Sequence, residues 1–434
     1  MHTKNGHKKV NLVSLGCSKN LVDSEVLLRQ FQLNGLEIIN NSRKADYIVI
    51  NTCGFINDAK DESIRAILEA IDLKKSGKVK KVIVMGCLSE RYKSELVEEI
   101  PEVDAYFGVT DFKGVLNELG LDLKKELLGE RLITTPKHFA YLKISEGCDN
   151  PCSFCAIPLM RGKHQSKPIE LILSEAKYLA DNGAKELILI AQDSTYYGLD
   201  IYGTRELARL LRELTKIDGI EWIRLLYAFP AKFPEDILDV IAGEEKICKY
   251  IDIPFQHISD KILKSMQRGV TKRRTYELIE LIRSKIPEVA IRTTLIVGYP
   301  EEGENEFQEL LDFVQEMKFD RLGVFTYSQE ENTKAFELGD PIPQKVKEER
   351  KKEILRIQQE ISHQKNIEKI GKRFKVLIDE KITEKVYLGR TQWDAPEVDN
   401  SVIVNSENEI EPGKFYEVEI DDALEFDLAG QVVK

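Results

Sequence analysis

Read for apolar and polar positions, the chain changes rhythm several times along its length. In the first hundred residues, three short apolar runs end in a cysteine: Val10 to Cys17, Tyr47 to Cys53 and Val82 to Cys87. Runs of this length, apolar throughout, read as strands buried on both faces. Amphipathic segments from Leu21 to Phe31, Ala59 to Leu73 and Ser89 to Ile100 lie between and after them. The pattern predicts β-α-β-α-β-α, an open doubly wound sheet in an N-terminal domain over 8–125.

From about Phe139 to Ser328 the series lengthens. Candidate strands run Ala140 to Glu146, Glu186 to Gln192, Trp222 to Tyr227, Tyr250 to Pro254, Ile291 to Val297 and Arg321 to Tyr327. Helical periods fill the gaps, so six βα units predict a partial (β/α) barrel within a central domain over 134–345. A polar stretch over 346–370 follows, with eight Lys or Arg and five Glu between Lys345 and Ile370. It predicts a helix that acts as a linker or a solvated face leading away from the barrel. The last segment, 371–434, is all short strands and turns: Phe374 to Asp379, Val386 to Thr391, Ser401 to Val404, Phe415 to Ile420 and Glu425 to Val432. Five strands in so little chain predict a small OB-like Greek-key barrel.

Charge changes the reading of that barrel. Such folds usually grip nucleic acid, yet 371–434 carries eight basic against fifteen acidic residues, a net of -7 within a chain whose formal charge is -11. Asp421, Asp422, Glu425 and Asp427 cluster near its end. An acidic surface repels a phosphate backbone and attracts a cationic protein. The apolar runs fall short of a membrane span, and Met1 to His7 lack the apolar stretch of a signal peptide. A reducing cytoplasm is therefore expected, where clustered cysteines are metal ligands more often than disulfides.

The densest chemistry lies in Gly147-Cys148-Asp149-Asn150-Pro151-Cys152-Ser153-Phe154-Cys155. Three thiolates in the spacing C-x-x-x-C-x-x-C can hold three irons of a 4Fe-4S cluster and leave the fourth open. A zinc site would want a fourth Cys or His nearby, and His164, nine residues past Cys155, is poorly spaced for it. A disulfide is the other alternative. Cys17, Cys53 and Cys87 form a second set, because each ends a predicted parallel strand and ligands bind beyond the carboxyl ends of such sheets. Any one of the three alone would pass as a small core residue. Together they predict a second cluster with an open iron. Cys248 has no such company and reads as packing. On the active face of the barrel lie Gln192 and Asp193, Gln256 and His257, and Gly298 after Val297. A lone His there is as readily structural as catalytic, and Glu301 to Glu306 reads as a solvated helix start.

The loop with Phe154 before its last cysteine resembles the radical S-adenosylmethionine (SAM) enzymes. With Leu15-Gly16-Cys17-Ser18-Lys19-Asn20, Asn51-Thr52-Cys53-Gly54-Phe55 and Gly86-Cys87-Leu88-Ser89-Glu90-Arg91-Tyr92, the whole chain resembles the methylthiotransferases, which end in a TRAM domain. Cys155-Ala156-Ile157-Pro158-Leu159-Met160-Arg161-Gly162 and Asp252-Ile253-Pro254-Phe255-Gln256-His257 resemble the branch that modifies small-subunit ribosomal protein S-twelve, at the β-carbon of an aspartate. A second branch modifies an adenosine in transfer RNA and is the alternative. One departure is Ser166-Lys167, where the family would carry Ser-Arg.

The resemblance implies two uses of SAM. One molecule methylates a sulfur carried at the open iron of the cluster held by Cys17, Cys53 and Cys87. Another, at the cluster held by Cys148, Cys152 and Cys155, yields the radical that abstracts hydrogen. Phe154, Gln192, Asp193, Val297 and Gly298 are then the candidates for holding SAM. The implied partners are basic ribosomal protein S-twelve as substrate and an electron donor such as flavodoxin or ferredoxin, with no membrane and nucleic acid not expected as the main substrate. A non-enzymatic electron carrier is the third reading, and it requires closed clusters. Because all six candidate ligands precede Ala156, removing 371–434 is expected to spare the chemistry on SAM.

Overall fold

The computed structural model describes residues 8–124 and 129–433. The reading of Met1 to His7, the last residue of the expected 8–125 segment and Lys434 lie outside the described residues. The chain forms two compact units. One gathers the described residues up to Thr134 with Glu146–Asp149 and Cys155–Gln165, and the other gathers Thr135–Ser145, Asn150–Phe154 and Ser166 onward.

In the first unit five parallel strands pair in the order Glu37–Ile38, Lys9–Ser14, Tyr47–Thr52, Lys81–Gly86, Ala105–Tyr106. Alternation along the central strands divides the core. Ile48, Ile50, Val82 and Val84 pack with Ile67 and Ile71 of helix Asn57–Lys75, while Val49, Ile83 and Met85 join Leu27 and Phe31 of helix Ser18–Leu33. Both faces are thus covered, which is why the strands read as unbroken apolar runs. The two short edge strands, Glu37–Ile38 and Ala105–Tyr106, escape the sequence pattern because two residues carry no periodicity. Their presence fixes where the strand order reverses: between Lys9–Ser14 and Tyr47–Thr52, the crevice where such sheets bind ligands.

The second unit carries six parallel strands in sequential order, Phe139–Lys143, Glu186–Ile190, Trp222–Leu225, Ile247–Asp252, Ala290–Val297 and Arg321–Thr326, the expected partial barrel. Arg373–Lys381, Val386–Arg390, Val402–Asn405, Leu428–Val432 and Phe415–Ala423 close the five-stranded barrel in that order around Val376, Ile378, Tyr387, Val404, Val418 and Ile420. Among the described residues no helix is long and apolar enough to cross a membrane.

Two expectations need correction here. Helix Gln344–Ile367 does not stand in solvent, since Lys347, Arg350, Ile354, Ile357, Gln358, Ser362 and Asn366 are buried. Gln358 donates to Phe319 O, and Arg350 reaches Glu302. Five of the seven buried side chains are polar or charged, which is why hydropathy missed the buried face.

The closed barrel is likewise no detachable module, because every strand of the six-stranded sheet sends a polar side chain to its Arg390–Asp399 segment. Glu186 pairs with Arg390 at 2.8 Å, Arg224 donates to Gln392 O, and Tyr141 donates to Glu397. Tyr250 and Arg292 both bond Asp399, at 2.6 and 3.2 Å, and Arg321 pairs with Asp394. These groups are mostly withdrawn from water, so removing 371–434 would take from Glu186, Arg292 and Arg321 the partners they have in that segment. The deletion is therefore expected to destabilise the rest of the unit. Glu186 also pairs with Arg224 at 2.7 Å, with both side chains fully buried. Glu186→Gln would leave two guanidinium groups facing a neutral amide, so a loss of about 3–5 kcal/mol in unfolding free energy is expected by urea titration. A loss under ~1 kcal/mol, the range of an exposed pair, would show that water reaches this site.

Candidate active site

In the first unit the three strand-end cysteines are brought to one edge. Cys17 follows strand Lys9–Ser14 and caps the next helix, Cys53 follows Tyr47–Thr52, and Cys87 opens the short helix Cys87–Arg91 directly after Lys81–Gly86. Two glycines record how closely these turns approach. At Gly16, with φ +88°, an added Cβ would lie 2.8 Å from Cys53 Cβ and 3.0 Å from its Sγ. At Gly54 it would lie 2.8 Å from Leu88 Cα and 3.1 Å from the Cys87 carbonyl carbon. No side chain fits at either place, so the turns can close on a shared point.

Asn20 ties the edge together. Its Nδ2 donates to Leu15 O and Thr52 O, and its Oδ1 accepts from Cys87 Sγ at 3.6 Å. Ser63 accepts from Cys53 N and donates to Cys53 O, fixing the backbone of that cysteine. Cys17 is exposed, Cys53 half-buried and Cys87 buried. Burial pushes the Cys87 thiol up to about 12 and raises that of Cys53 as well, with the Arg161 guanidinium acting the other way on both. Thiolates here therefore need compensating positive charge, which bound iron would supply while displacing the protons. Among the described residues no three His, Cys, Asp or Glu side chains are placed to hold a single metal ion. A cluster asks for a different arrangement, because each thiolate binds its own iron. Three thiols at one edge, with one open to solvent, suit that arrangement.

The cysteine loop divides between the units: Cys148 and Cys155 fall in the first, Cys152 in the second. In the first, Cys148 N donates to Gly162 O, and the helix Ile157–Arg161 that follows Cys155 sets Ala156 and Met160 against Cys87 and Val109. In the second, the middle of the loop is clamped to the partial barrel. Asn150 donates to Asp193 at 2.7 Å, Ser153 donates to Ser265 O and meets Tyr299 Oη at 3.1 Å, and Phe154 packs against Ile262, Met266, Tyr299 and Tyr327. Arg268 Nη1 donates to Cys152 Sγ at 3.2 Å, and its guanidinium lies 4.3 Å from the centre of the Phe229 ring. Neither Arg268 nor Asn150 stood out in the sequence, because an arginine 116 residues away from a thiol leaves no local pattern.

The remaining candidates lie at the carboxyl ends of the barrel strands. Asp193 is buried and also accepts from Thr195 N and Oγ1, so its carboxylate serves the turn that holds Gln192 as well as Asn150. Gly298 follows Val297, and its N–H donates to Glu302 Oε1 at 2.9 Å. His257 accepts from Ser259 N through Nδ1, which leaves the proton on Nε2 to donate to Glu302 Oε2 at 3.2 Å. Arg350 completes the arrangement with a 2.7 Å pair to Glu302. His257 is fully buried, with its ring bonded to Glu302. The expected solvated helix start holds for Glu301, Glu304 and Asn305, which are exposed, with Glu304 and Glu306 in the first turn of helix Glu304–Met317, whereas Glu302 is 3% exposed and holds the Gly298 turn. Lys167, at the one departure from the family pattern, pairs with Glu175 at 2.6 Å. Cys248 is buried and its thiol pushed up to about 12 by burial, a packing residue as expected.

Comparisons with known proteins agree with this layout. Residues 9–108 match Uncharacterized protein family UPF0004, 142–314 the Radical SAM superfamily and 370–433 the TRAM domain. A protein of Flavobacterium johnsoniae named Ribosomal protein uS12 methylthiotransferase RimO is 56% identical over 99% of this chain and 100% of its own length. Proteins of the same name from Christiangramia forsetii and Bacteroides fragilis are 55% and 50% identical, over 99% and 98% of this chain and 96% and 99% of theirs. Among solved structures, the radical SAM methyltransferase TsrM of Kitasatospora setae, with tryptophan and a SAM analogue, aligns at a TM-score of 0.56 and 14% identity, covering 73% of this chain and 72% of that one. The cobalamin-dependent radical enzyme OxsB aligns at 0.52 and 15% identity over 76% and 55%. At such identities they speak for the fold alone.

Proposed function

We propose, for a chain that belongs to the RimO family of ribosomal protein uS12 methylthiotransferases, that it adds a methylthio group to the β-carbon of an aspartate in that basic ribosomal protein. The observation that carries this reading is likeness along the whole chain: 55% identity over 99% of it to a protein of that name. The transfer-RNA alternative is not favoured, since the relatives named above share the ribosomal-protein designation.

An aspartate β-C–H bond has no useful acidity, so acid-base groups cannot open it and a cofactor must. One 4Fe-4S cluster and SAM follow from the radical SAM family, and together they supply a carbon-centred radical. Cys148, Cys152 and Cys155 would hold that cluster. Arg268 would orient the Cys152 sulfur by its hydrogen bond, as outer donors to a ligating sulfur do. Gln192, Asp193, Val297 and Gly298, at or just past barrel strand ends, and Phe154 of the cysteine loop would hold SAM. Glu302, held by His257 and Arg350, orients the Gly298 backbone for it. Cys17, Cys53 and Cys87 would hold a second cluster with an open position for the transferred sulfur. An electron donor such as flavodoxin or ferredoxin completes the requirement, with the cytoplasm as the compartment. Mass spectrometry of ribosomal proteins from cells with and without the gene tests the reading. A gain of one methylthio group on S-twelve is expected only with the gene, and an unchanged S-twelve mass alongside altered transfer RNA would overturn it.

Substrate capture is assigned to the acidic barrel. Asp379, Asp394 and Asp399 are spent on internal partners, but Asp421, Asp422 and Glu425 are exposed. Reversing these three to Lys is expected to weaken binding of isolated S-twelve about tenfold at low salt and to flatten its salt dependence, because exposed charges act mainly on encounter. Binding titrations at two salt concentrations check this, and unaltered affinity at both would place the docking surface elsewhere.

A further inference from the structure

The short helix after the cysteine loop ends in a charge that the proposed reaction has not yet used. Arg161 is the last residue of helix Ile157–Arg161, six residues beyond Cys155, and its side chain is 1% exposed. Its Nη1 lies 2.8 Å from both Glu146 carboxylate oxygens, while Nη2 donates to Asn20 Oδ1 and, at 3.2 Å, to Asp23 Oδ2. Asn20 Oδ1 is the same atom that accepts from Cys87 Sγ. Ala156 and Met160, on the same short segment, pack directly against Cys87. All of these residues belong to the first unit.

A guanidinium cannot lose its proton at this site, so it is a fixed positive charge in a dry environment. Counted with Asp23 and Glu146, the local side-chain charge is one negative before any thiolate is added. A cluster bound through three thiolates is itself anionic, and becomes more so on reduction. Its potential is set by net charge, hydrogen bonding around the sulfurs and exposure to solvent. Arg161 governs the first directly and the second through Asn20.

We propose that Arg161 is a positioning residue that sets the reduction potential of the cluster site formed by Cys17, Cys53 and Cys87. The segment Cys155–Arg161 then carries a ligand for one cysteine set at its start and the counter-charge for the other at its end. The inference rests on the two-cluster reading above.

The test uses the full chain with Cys148, Cys152 and Cys155 replaced by Ala, so that a single cluster reports, in a potentiometric titration followed by electron paramagnetic resonance. Arg161→Met is expected to make reduction about tenfold less favourable, a shift of ~59 mV to lower potential for one electron. Arg161→Lys should restore most of it. Asp23→Asn, which keeps the guanidinium and removes one negative charge, should shift the potential upward, and it decides the matter alone if Arg161→Met does not fold. A purely structural role would loosen the site in every variant and move all potentials the same way. Potentials that ignore the substitutions, or move together, overturn the inference. Absence of iron from the parent triple variant overturns the reading of two independent cluster sites, and the inference that rests on it.

Discussion

Replacing Cys148, Cys152 and Cys155 together with Ala is expected to leave a protein that still binds one 4Fe-4S cluster after anaerobic reconstitution, with about half the iron of the parent, and that makes no 5'-deoxyadenosine above background. The physical ground is the separation of ligand sets. Cys17, Cys53 and Cys87 are placed by strand ends and by the close approaches at Gly16 and Gly54, none of which involves the loop thiols. The loop itself is held by contacts that alanine does not remove: Asn150 on Asp193, Ser153 on Ser265 O and Phe154 among Met266, Tyr299 and Tyr327. The backbone should therefore keep its path while the site loses its ligands. Independence is a real question, because Ala156 and Met160 of the following helix pack on Cys87. Iron content falling to zero in a folded triple variant would mean that this packing couples the two sites and that they fill only together.

The complementary variant, with Cys17, Cys53 and Cys87 replaced by Ala, is expected to cleave SAM slowly and transfer no methylthio group. Removing a buried sulfhydryl leaves a small cavity, about 1 kcal/mol at Cys87 and less at exposed Cys17. Asn20 keeps its bonds to Leu15 O and Thr52 O, and Ser63 keeps both bonds to the backbone of residue 53, so the edge should stay assembled. Arg268 remains on Cys152, in the other unit, and the contacts that grip the loop there are untouched. Liquid chromatography of 5'-deoxyadenosine, run beside mass spectrometry of S-twelve, separates the two activities. If a well-folded variant loses both, the N-terminal thiols belong to the radical centre itself.

Much of the architecture was legible because its causes are local. The runs Tyr47 to Cys53 and Val82 to Cys87 announced buried parallel strands, and the structure begins and ends those strands within a residue or so of the apolar boundaries. The cysteine at each end was visible as a repeated feature. Glu302 shows the opposite case. In a run of acids at a helix start it reads as solvated, yet it is buried because His257 and Arg350, 45 and 48 residues away, meet it. The chain passing through those positions carries no sign of the meeting.

The terminal barrel divides the two kinds of knowledge most clearly. Sequence alone determined that it has five strands and a net charge of -7, since strand rhythm and charge are sums over neighbouring residues. Only the tertiary structure decided which of those acids face solvent. Asp394 and Asp399 are spent on Arg321 and Arg292, whereas Asp421 and Asp422 stay exposed. Likewise, the two sets of three thiols were countable from the sequence, but the guanidinium placed between Asp23, Glu146 and the Asn20 amide beside Cys87 was not. Burial makes a charge depend on whatever residue is brought beside it, and that neighbour is chosen by the fold rather than by proximity along the chain.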